Sequence, residues 1–325
     1  MTNQLITIII PVYNSETTLN ELFDSLEAQE DKELVREILL INDNSTDNSQ
    51  KIIDEYVSKS SFQVQSILRT KNVGTGNNNN KGIDICQTEY FILMNDDIIV
   101  QDAKSFSKML QPFADPKVIC SYSTPIYPYT VWKSYNFWQK CLFSRQVGSE
   151  IPGMSNKFDC FKKTPLLENV GLFDGKTYKN AGENGDLSER IKESGYKAVP
   201  SHVKVIHLHN KDENFNLTQI IQKEAQMAEA QGTLLRHYPL SKIKDIREFA
   251  LTYFRPLLLL SLGVPYLQIV SFLLILVYSF LYTKLVYLEE FRNWRIIFLP
   301  FINISLLFVA LFYTAKGFVY GKQQI

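Results

Sequence analysis

Residues 5–14 read LITIIIPVYN, an almost unbroken apolar run from Leu5 to Val12 that closes on Tyr13 and Asn14. A run so rich in β-branched residues suits a central strand buried on both faces. Working outward, Leu19, Leu22, Phe23 and Leu26 recur at helical spacing, with Ser15 as the expected N-cap. EILLI (37–41) predicts a second strand ending in the polar loop NDNSTD, and Ile52, Ile53, Tyr56 and Val57 mark a second helix. Val64–Leu68 predicts a third strand, Lys81–Cys86 falls in a third helix, and YFILM (90–94) predicts a fourth strand ending on Asn95-Asp96-Asp97. This alternation implies an α/β fold, a Rossmann-like and mainly parallel sheet with helices on both faces. Ligands bind such sheets beyond the carboxyl ends of the strands. The polar clusters fall at those ends: Tyr13-Asn14, Asn42–Asp47, Asn72–Asn80 and Asn95–Asp97.

The chain has 325 residues, 45% hydrophobic and 21% charged, which suits one large catalytic domain with an appendage. Lys+Arg and Asp+Glu are both 34, so bulk charge gives no reason to expect a nucleic-acid partner. Four cysteines without a CxxC pair suit a reduced compartment, and the first residues carry no signal-like segment. The average conceals a break in composition. Val264–Thr283 and Ile296–Thr314 contain no charged residue, and each approaches the ~20 residues a helix needs to cross a bilayer. The expected organisation is a catalytic domain over 1–240, an interfacial amphipathic helix over 241–263, and a transmembrane helical hairpin with a short tail over 264–325. The expected location is the cell membrane, multi-pass, with the catalytic domain cytoplasmic and membrane lipids as neighbours. Oligomeric state is not legible, and a homo-oligomer stays open.

Nucleotide-binding and hydrolytic fingerprints are missing from their diagnostic places. There is no GxxxxGK[ST], no GxGxxG after the first strand, and no GxSxG elbow. Asn95-Asp96-Asp97 reads differently, because adjacent carboxylates at a strand end repel unless a cation or solvent relieves them. Hard oxygen ligands suit Mg²⁺ or Mn²⁺, which in turn bridges a diphosphate. Taken alone, the motif equally fits a solvated acidic turn. His207 and His209, in VKVIHLHN, are expected on the strand face that carries Val203 and Val205.

Together these segments resemble the GT-A fold, family 2 glycosyltransferases. IIIPVYN followed by INDNSTDNS is similar to that family's opening strand and nucleobase-binding loop. RTKNVGTGNNNNKGI is similar to its N-x-G-x-x-x-x-x-N-x-G segment, and FILMNDD to its DxD metal site. ENVGLFD followed by AGENGDLSERIKESGY resembles its acceptor-side GGFD…GEDxDLxxRxxxxGY signature. The resemblance covers roughly residues 5 to 210, with five motifs in the family's order.

What the resemblance implies is an inverting transfer of a sugar from a nucleotide-sugar donor. Pro11, Tyr13 and Asn14 would line the nucleoside pocket, Asp43 would bond the base, and Asn72 and Gly74 would belong to the donor site. Asp97 would ligate Mn²⁺ or Mg²⁺, with Asp96 beside it, Asn95 at the first DxD position, and His207 completing the metal site better than His209. Inversion requires a carboxylate to take the acceptor's proton. The position that usually supplies it is Asn184 here, which leaves Glu183 and Asp186 as candidate bases. Asn184 reads equally as the cap of a helix over 185–194. The acceptor would be a polyprenyl phosphate or lipid-linked saccharide. A non-lipid glycan acceptor and a catalytically silent, nucleotide-sugar-binding scaffold are the alternatives. Two charge-free helices offer a channel no polar pathway.

Overall fold

The computed structural model describes residues 5–150, 153–179, 181–239, 254 and 257–325. Its eight strands are β1 (Ile6–Val12), β2 (Val35–Asn42), β3 (Val64–Leu68), β4 (Tyr90–Met94), β5 (Ile98–Val100), β6 (Val118–Ile126), β7 (Phe158–Lys162) and β8 (Lys197–His207). They form one sheet in the order β3-β2-β1-β4-β7-β6-β8-β5. The helices, numbered along the chain, are α1 (Leu19–Glu27), α2 (Ser49–Lys59), α3 (Thr75–Ile85), α4 (Ser105–Leu110), α5 (Tyr129–Lys133) and α6 (Phe137–Phe143). There follow α7 (Lys163–Asn169), α8 (Glu183–Glu193), α9 (Leu217–His237), α10 (Gln268–Tyr282), α11 (Lys284–Glu289) and α12 (Leu299–Tyr320).

The chain divides into two compact units that interleave in sequence: 1–128, 148–175 and 183–211, and 129–147, 176–182 and 212–325. The first unit holds the whole sheet. Every residue of β1 is buried, and its side chains divide between two cores. Ile6, Ile8, Ile10 and Val12 pack with α1, α2 and α4 residues such as Leu22, Ile53 and Phe106. Ile9 packs on the other face with Ile83 of α3, Leu166 of α7 and Leu187 of α8. Burying each such side chain is worth about 1.5–3 kcal/mol, which makes β1 the axis of the unit. At Gly82 a Cβ would stand 2.3 Å from Ile9 Cγ2, so glycine lets α3 lie directly on the sheet.

The parallel reading holds for β3-β2-β1-β4 and again for β6-β8, and it fails at β7 and β5. β7 runs antiparallel to both β4 and β6, and β5 runs antiparallel to β8. The sheet is therefore mixed. Ser15 does not cap α1 with its side chain. Thr18 is the N-cap, and the Ser15 hydroxyl is bonded instead to Asp96 and the Tyr13 carbonyl. α8 begins at Glu183, so Asn184 lies inside its first turn rather than capping a helix from 185.

The second unit is helical. Glycines at 232 and 317 bring α9 and α12 into backbone contact: a Cβ on Gly317 would stand 2.0 Å from the Glu229 carbonyl oxygen. Among the described residues only Trp294–Tyr320 is long and apolar enough to cross a membrane, with mean hydropathy 2.4. α10 has 15 residues, about 22 Å at 1.5 Å per residue, against a hydrocarbon core of about 30 Å. The described residues thus give one helix of spanning length beside a shorter apolar one, and the expected two-helix transmembrane hairpin is not confirmed. The amphipathic helix expected over 241–263 lies largely outside them.

Candidate active site

A cavity of about 300 Å³ opens at the carboxyl ends of β1, β2 and β4 and is lined by Pro11, Val12, Tyr13, Asp43, Thr75, Asn78, Asn95, Asp96, Asp97, Ser155, Asn156, Glu183 and Asn184. Backbone and side chains cross-brace its rim. Asp43 accepts the N–H groups of Val73 and Gly74, both at 2.9 Å, and so ties the β2 end to the turn before α3. Gly74 sits there at φ 85°, a left-handed conformation that glycine adopts without strain. Asp96 accepts the Tyr13 N–H at 3.0 Å and a bond from the Ser15 hydroxyl, which joins the β4 end to the β1 end.

Asp97 faces a different set of partners. Its Oδ2 lies 2.9 Å from His207 Nε2 at the end of β8, and the His209 ring lies beside His207 with centroids 3.7 Å apart and planes tilted by 45°. His209 does not continue the strand, which ends at His207. It turns back at φ 53°, so the two rings meet by a bend and not by strand alternation. One ligand atom from each of Asp97, His207 and His209 falls within 4.8 Å of the others. Asp97 Oδ1 and His207 Nδ1 are buried with no hydrogen-bond partner among the described residues. Leaving such atoms bare costs about 1–3 kcal/mol each, so this donor set fits a divalent cation.

The electrostatics separate the two adjacent acids. Burial and the neighbouring Asp97 charge push Asp96 up. Burial also pushes on Asp97, but His207, His209 and Lys157 outweigh it and hold that carboxyl low. Burial raises Glu183, which lines the cavity wall at the start of α8.

The expected site residues do not all converge. Pro11, Tyr13, Asp43, Asn95, Asp96, Asp97 and Glu183 line the cavity, and His207 joins through Asp97. Asn14 does not. Its Oδ1 accepts the Thr46 N–H at 2.8 Å, and it braces the neighbouring loop from φ 52°. Asn72 is exposed and Gly74 acts as the turn. Asp186 is outside the lining as well. It pairs with Arg190 at 2.8 Å, and Arg190 in turn donates to the carbonyls of Val170, Gly171 and Leu172. Asp186 is a structural anchor of α8.

Four lining residues are not singled out by the sequence: Thr75 and Asn78, which fall within the RTKNVGTGNNNNKGI segment, and Ser155 and Asn156, which fall in no motif. Both amide atoms of Asn78, Oγ of Ser155 and Oδ1 of Asn156 are buried without a partner among the described residues. Asn156 Nδ2 donates to Asn184 Oδ1, which fixes that amide against the 153–157 loop. Asp159, fully buried and raised to about 6 by burial, accepts the N–H groups of Ser155, Asn156 and Ser123 at 2.6, 2.7 and 3.2 Å. It holds the loop in place from behind.

Residues 7–163 match the profile described as Glycosyl transferase family 2. The poly(ribitol-phosphate) beta-glucosyltransferase of Bacillus spizizenii is 40% identical over 93 residues, 28% of this chain and 14% of the relative. The poly(ribitol-phosphate) beta-N-acetylglucosaminyltransferase TarS of Staphylococcus aureus is 31% identical over 90 residues, 28% of this chain and 16% of the relative. The matched stretches thus span a small part of these longer proteins. Among solved structures, the mannosyltransferase PcManGT from Pyrobaculum calidifontis, in complex with GDP-Man and Mn²⁺, superposes with a TM-score of 0.61 at 15% identity, covering 98% of this chain and 88% of that one. That likeness speaks for the fold. With the order of its motifs and the mixed sheet that carries them, the segment 7–163 is a glycosyl transferase family 2 segment in a chain with the GT-A fold.

Proposed function

We propose that the chain transfers a sugar from a nucleotide-sugar donor to an acceptor hydroxyl or phosphate, with inversion at the anomeric carbon. The observation that carries this reading is the cavity at the strand ends, with its buried, unpartnered polar atoms, in a chain that carries a segment of this family. The nucleoside lies against Pro11, Tyr13 and Asp43, and the diphosphate points towards Asn95–Asp97. Asp97 and His207, with His209 beside them, hold Mn²⁺ or Mg²⁺. When bound, the ion neutralises the charge that builds on the departing diphosphate.

The protein's own step is proton removal. Where the acceptor is a hydroxyl, Glu183 takes its proton as that oxygen attacks the anomeric carbon, and the nucleoside diphosphate leaves with the electrons of the broken bond; a phosphate acceptor attacks as an anion and gives up no proton. Burial makes Glu183 a stronger base than an ordinary carboxylate, and Asn184 beside it cannot accept a proton. The proposed acceptor is a polyprenyl phosphate or a lipid-linked saccharide at the cytoplasmic membrane face. The apolar surface exposed on α10 and α12 supports a membrane-borne acceptor. Two relatives are named for poly(ribitol-phosphate), a phosphate-containing polymer, which keeps a non-lipid acceptor as the alternative.

The test is a nucleotide-sugar screen of the purified full chain with Mn²⁺, Mg²⁺ or EDTA, followed by product analysis on native membrane lipids. The expected result is metal-stimulated release of one nucleoside diphosphate, with the sugar recovered on a lipid in inverted configuration. Donor binding without release or transfer supports the silent scaffold instead. Sugar recovered only on a water-soluble glycan replaces the lipid acceptor.

A further inference from the structure

The β4–β7 ladder pairs Tyr90 with Lys162, Phe91 with Phe161, Ile92 with Cys160, Leu93 with Asp159 and Met94 with Phe158. One step further along the same antiparallel register sets Lys157 across from Asn95. Side chains in such cross-strand positions stand about 5 Å apart. Lys157 directly follows Ser155 and Asn156, which line the cavity, and Asp159 fixes the backbone of this loop through its bonds to two of its N–H groups. Lys157 thus stands immediately before β7, at the end of a loop whose backbone Asp159 holds.

Three acids of the protein surround it, yet none is its direct partner. The Lys157 charge acts on Asp97, Glu183 and Asp159, yet its ammonium makes no hydrogen bond or ion pair among the described residues. A lysine serving only as counter-charge to these acids would close a direct pair with one of them, as Lys192 does with Glu189 at 3.0 Å. Asn95, the residue opposite, offers a neutral amide where a carboxylate would have claimed the ammonium. With a neutral residue at 95, the metal cluster contains a single carboxylate, Asp97. The cation on the facing strand is left for a ligand.

We propose that Lys157 is a donor-binding residue whose ammonium contacts the diphosphate and supplies part of the positive charge that a divalent ion would otherwise supply alone. This rests on the nucleotide-sugar reading above. It assigns the 153–157 loop a share in the site, and it makes donor binding less dependent on metal than a site with an acid at 95.

The experiment titrates the full chain with UDP and GDP, and with uridine and guanosine, in EDTA and in Mn²⁺. Wild type is compared with Lys157→Met and Lys157→Arg, and binding is followed by calorimetry and ligand-observed NMR. In EDTA, Lys157→Met should lose tenfold or more in affinity for whichever diphosphate wild type binds, the scale of one hydrogen bond to a charged group. In Mn²⁺ the loss should be smaller. Affinity for the matching nucleoside should not change, which also reports that the pocket is folded, and Lys157→Arg should keep diphosphate affinity within a few-fold. Diphosphate affinity unchanged in Lys157→Met, or an equal loss for nucleoside and diphosphate, overturns the role of Lys157 and leaves the functional reading standing. A wild-type chain that binds neither diphosphate overturns that reading, and this proposal with it.

Discussion

Glu183 and Asp186 sit three positions apart at the start of α8, and packing sends them to different work. Glu183 looks into the cavity with its carboxyl raised by burial, while Asp186 is taken by Arg190, whose guanidinium also holds three carbonyls of the 170–172 turn. Glu183→Gln should therefore lower kcat by about 10²–10⁴ with little change in melting temperature. In wild type the rate should fall as pH drops through a Glu183 pKa above the ordinary carboxylate value, since only the deprotonated form accepts a proton. That acid limb should vanish in Glu183→Gln. Asp186→Asn should instead lower the unfolding free energy, by about 1–3 kcal/mol, and leave kcat within a few-fold. A steady-state rate and a melt on both variants decide it. Full activity in Glu183→Gln would reject a carboxylate base and favour an acceptor that is already an anion. The sequence alone leaves the two acids equivalent, because what separates them is Arg190 reaching carbonyls 18 to 20 residues away. Asp43, Asp96 and Asp97 were legible for the opposite reason: each follows directly from where an apolar strand stops.

Elements were read from period and composition, and both signals are local. β1, β2 and β4 stand out because each carries an apolar run that ends in a polar turn, whereas β3, VQSIL, holds two polar residues. β7, with the sequence FDCFK, carries an aspartate in its middle and does not look like a strand. Asp159 is buried there because backbone N–H groups of a loop and of β6 surround it, a tertiary fact. Its antiparallel direction, which makes the sheet mixed, is equally invisible in a reading that assumes strand–helix alternation. The α9–α12 seam is another case. Gly232 and Gly317 look like weaknesses in helices, yet a Cβ at 232 would stand 1.9 Å from the Thr314 carbonyl oxygen and one at 317 only 2.0 Å from that of Glu229. Gly317→Ala must push the two backbones apart, and overpacking of this kind costs about 1–3 kcal/mol or more despite alanine's better helix propensity. The variant should unfold at lower urea than wild type. An unchanged or higher midpoint would show that the helices do not meet this closely.

At the scale of the molecule, composition located the apolar C-terminal region but not how the chain partitions. The compact helical unit also takes in residues 129–147 and 212–239, which are polar enough to read as part of the catalytic region. Trp132, Phe137 and Cys141 from the first of these pack with Ile220, Leu299 and Leu306 in one core, a grouping that no window along the sequence can reveal. The same packing explains why a charge-free stretch need not meet lipid on every side. On α12, Asn303, Leu306, Leu307, Ala310 and Gly317 are buried within the protein. Phe301, Phe308, Phe312 and Val319 are 68, 52, 64 and 65% exposed. At 100° per residue these four lie within about 20° of one line along the helix. An exposed stripe of this size on one face needs an apolar partner, and a bilayer supplies one over its whole length. Phe308→Asp with Phe312→Asp removes two phenylalanines whose burial in lipid is worth about 1.5–3 kcal/mol each and adds two charges that resist entering hydrocarbon. Wild-type protein should float with phospholipid vesicles in a density gradient, and the double variant should stay at the bottom at an unchanged melting temperature, since neither side chain belongs to the buried seam. Flotation equal to wild type would show that this stripe is not the membrane contact, and a lowered melting temperature would show that it packs within the protein.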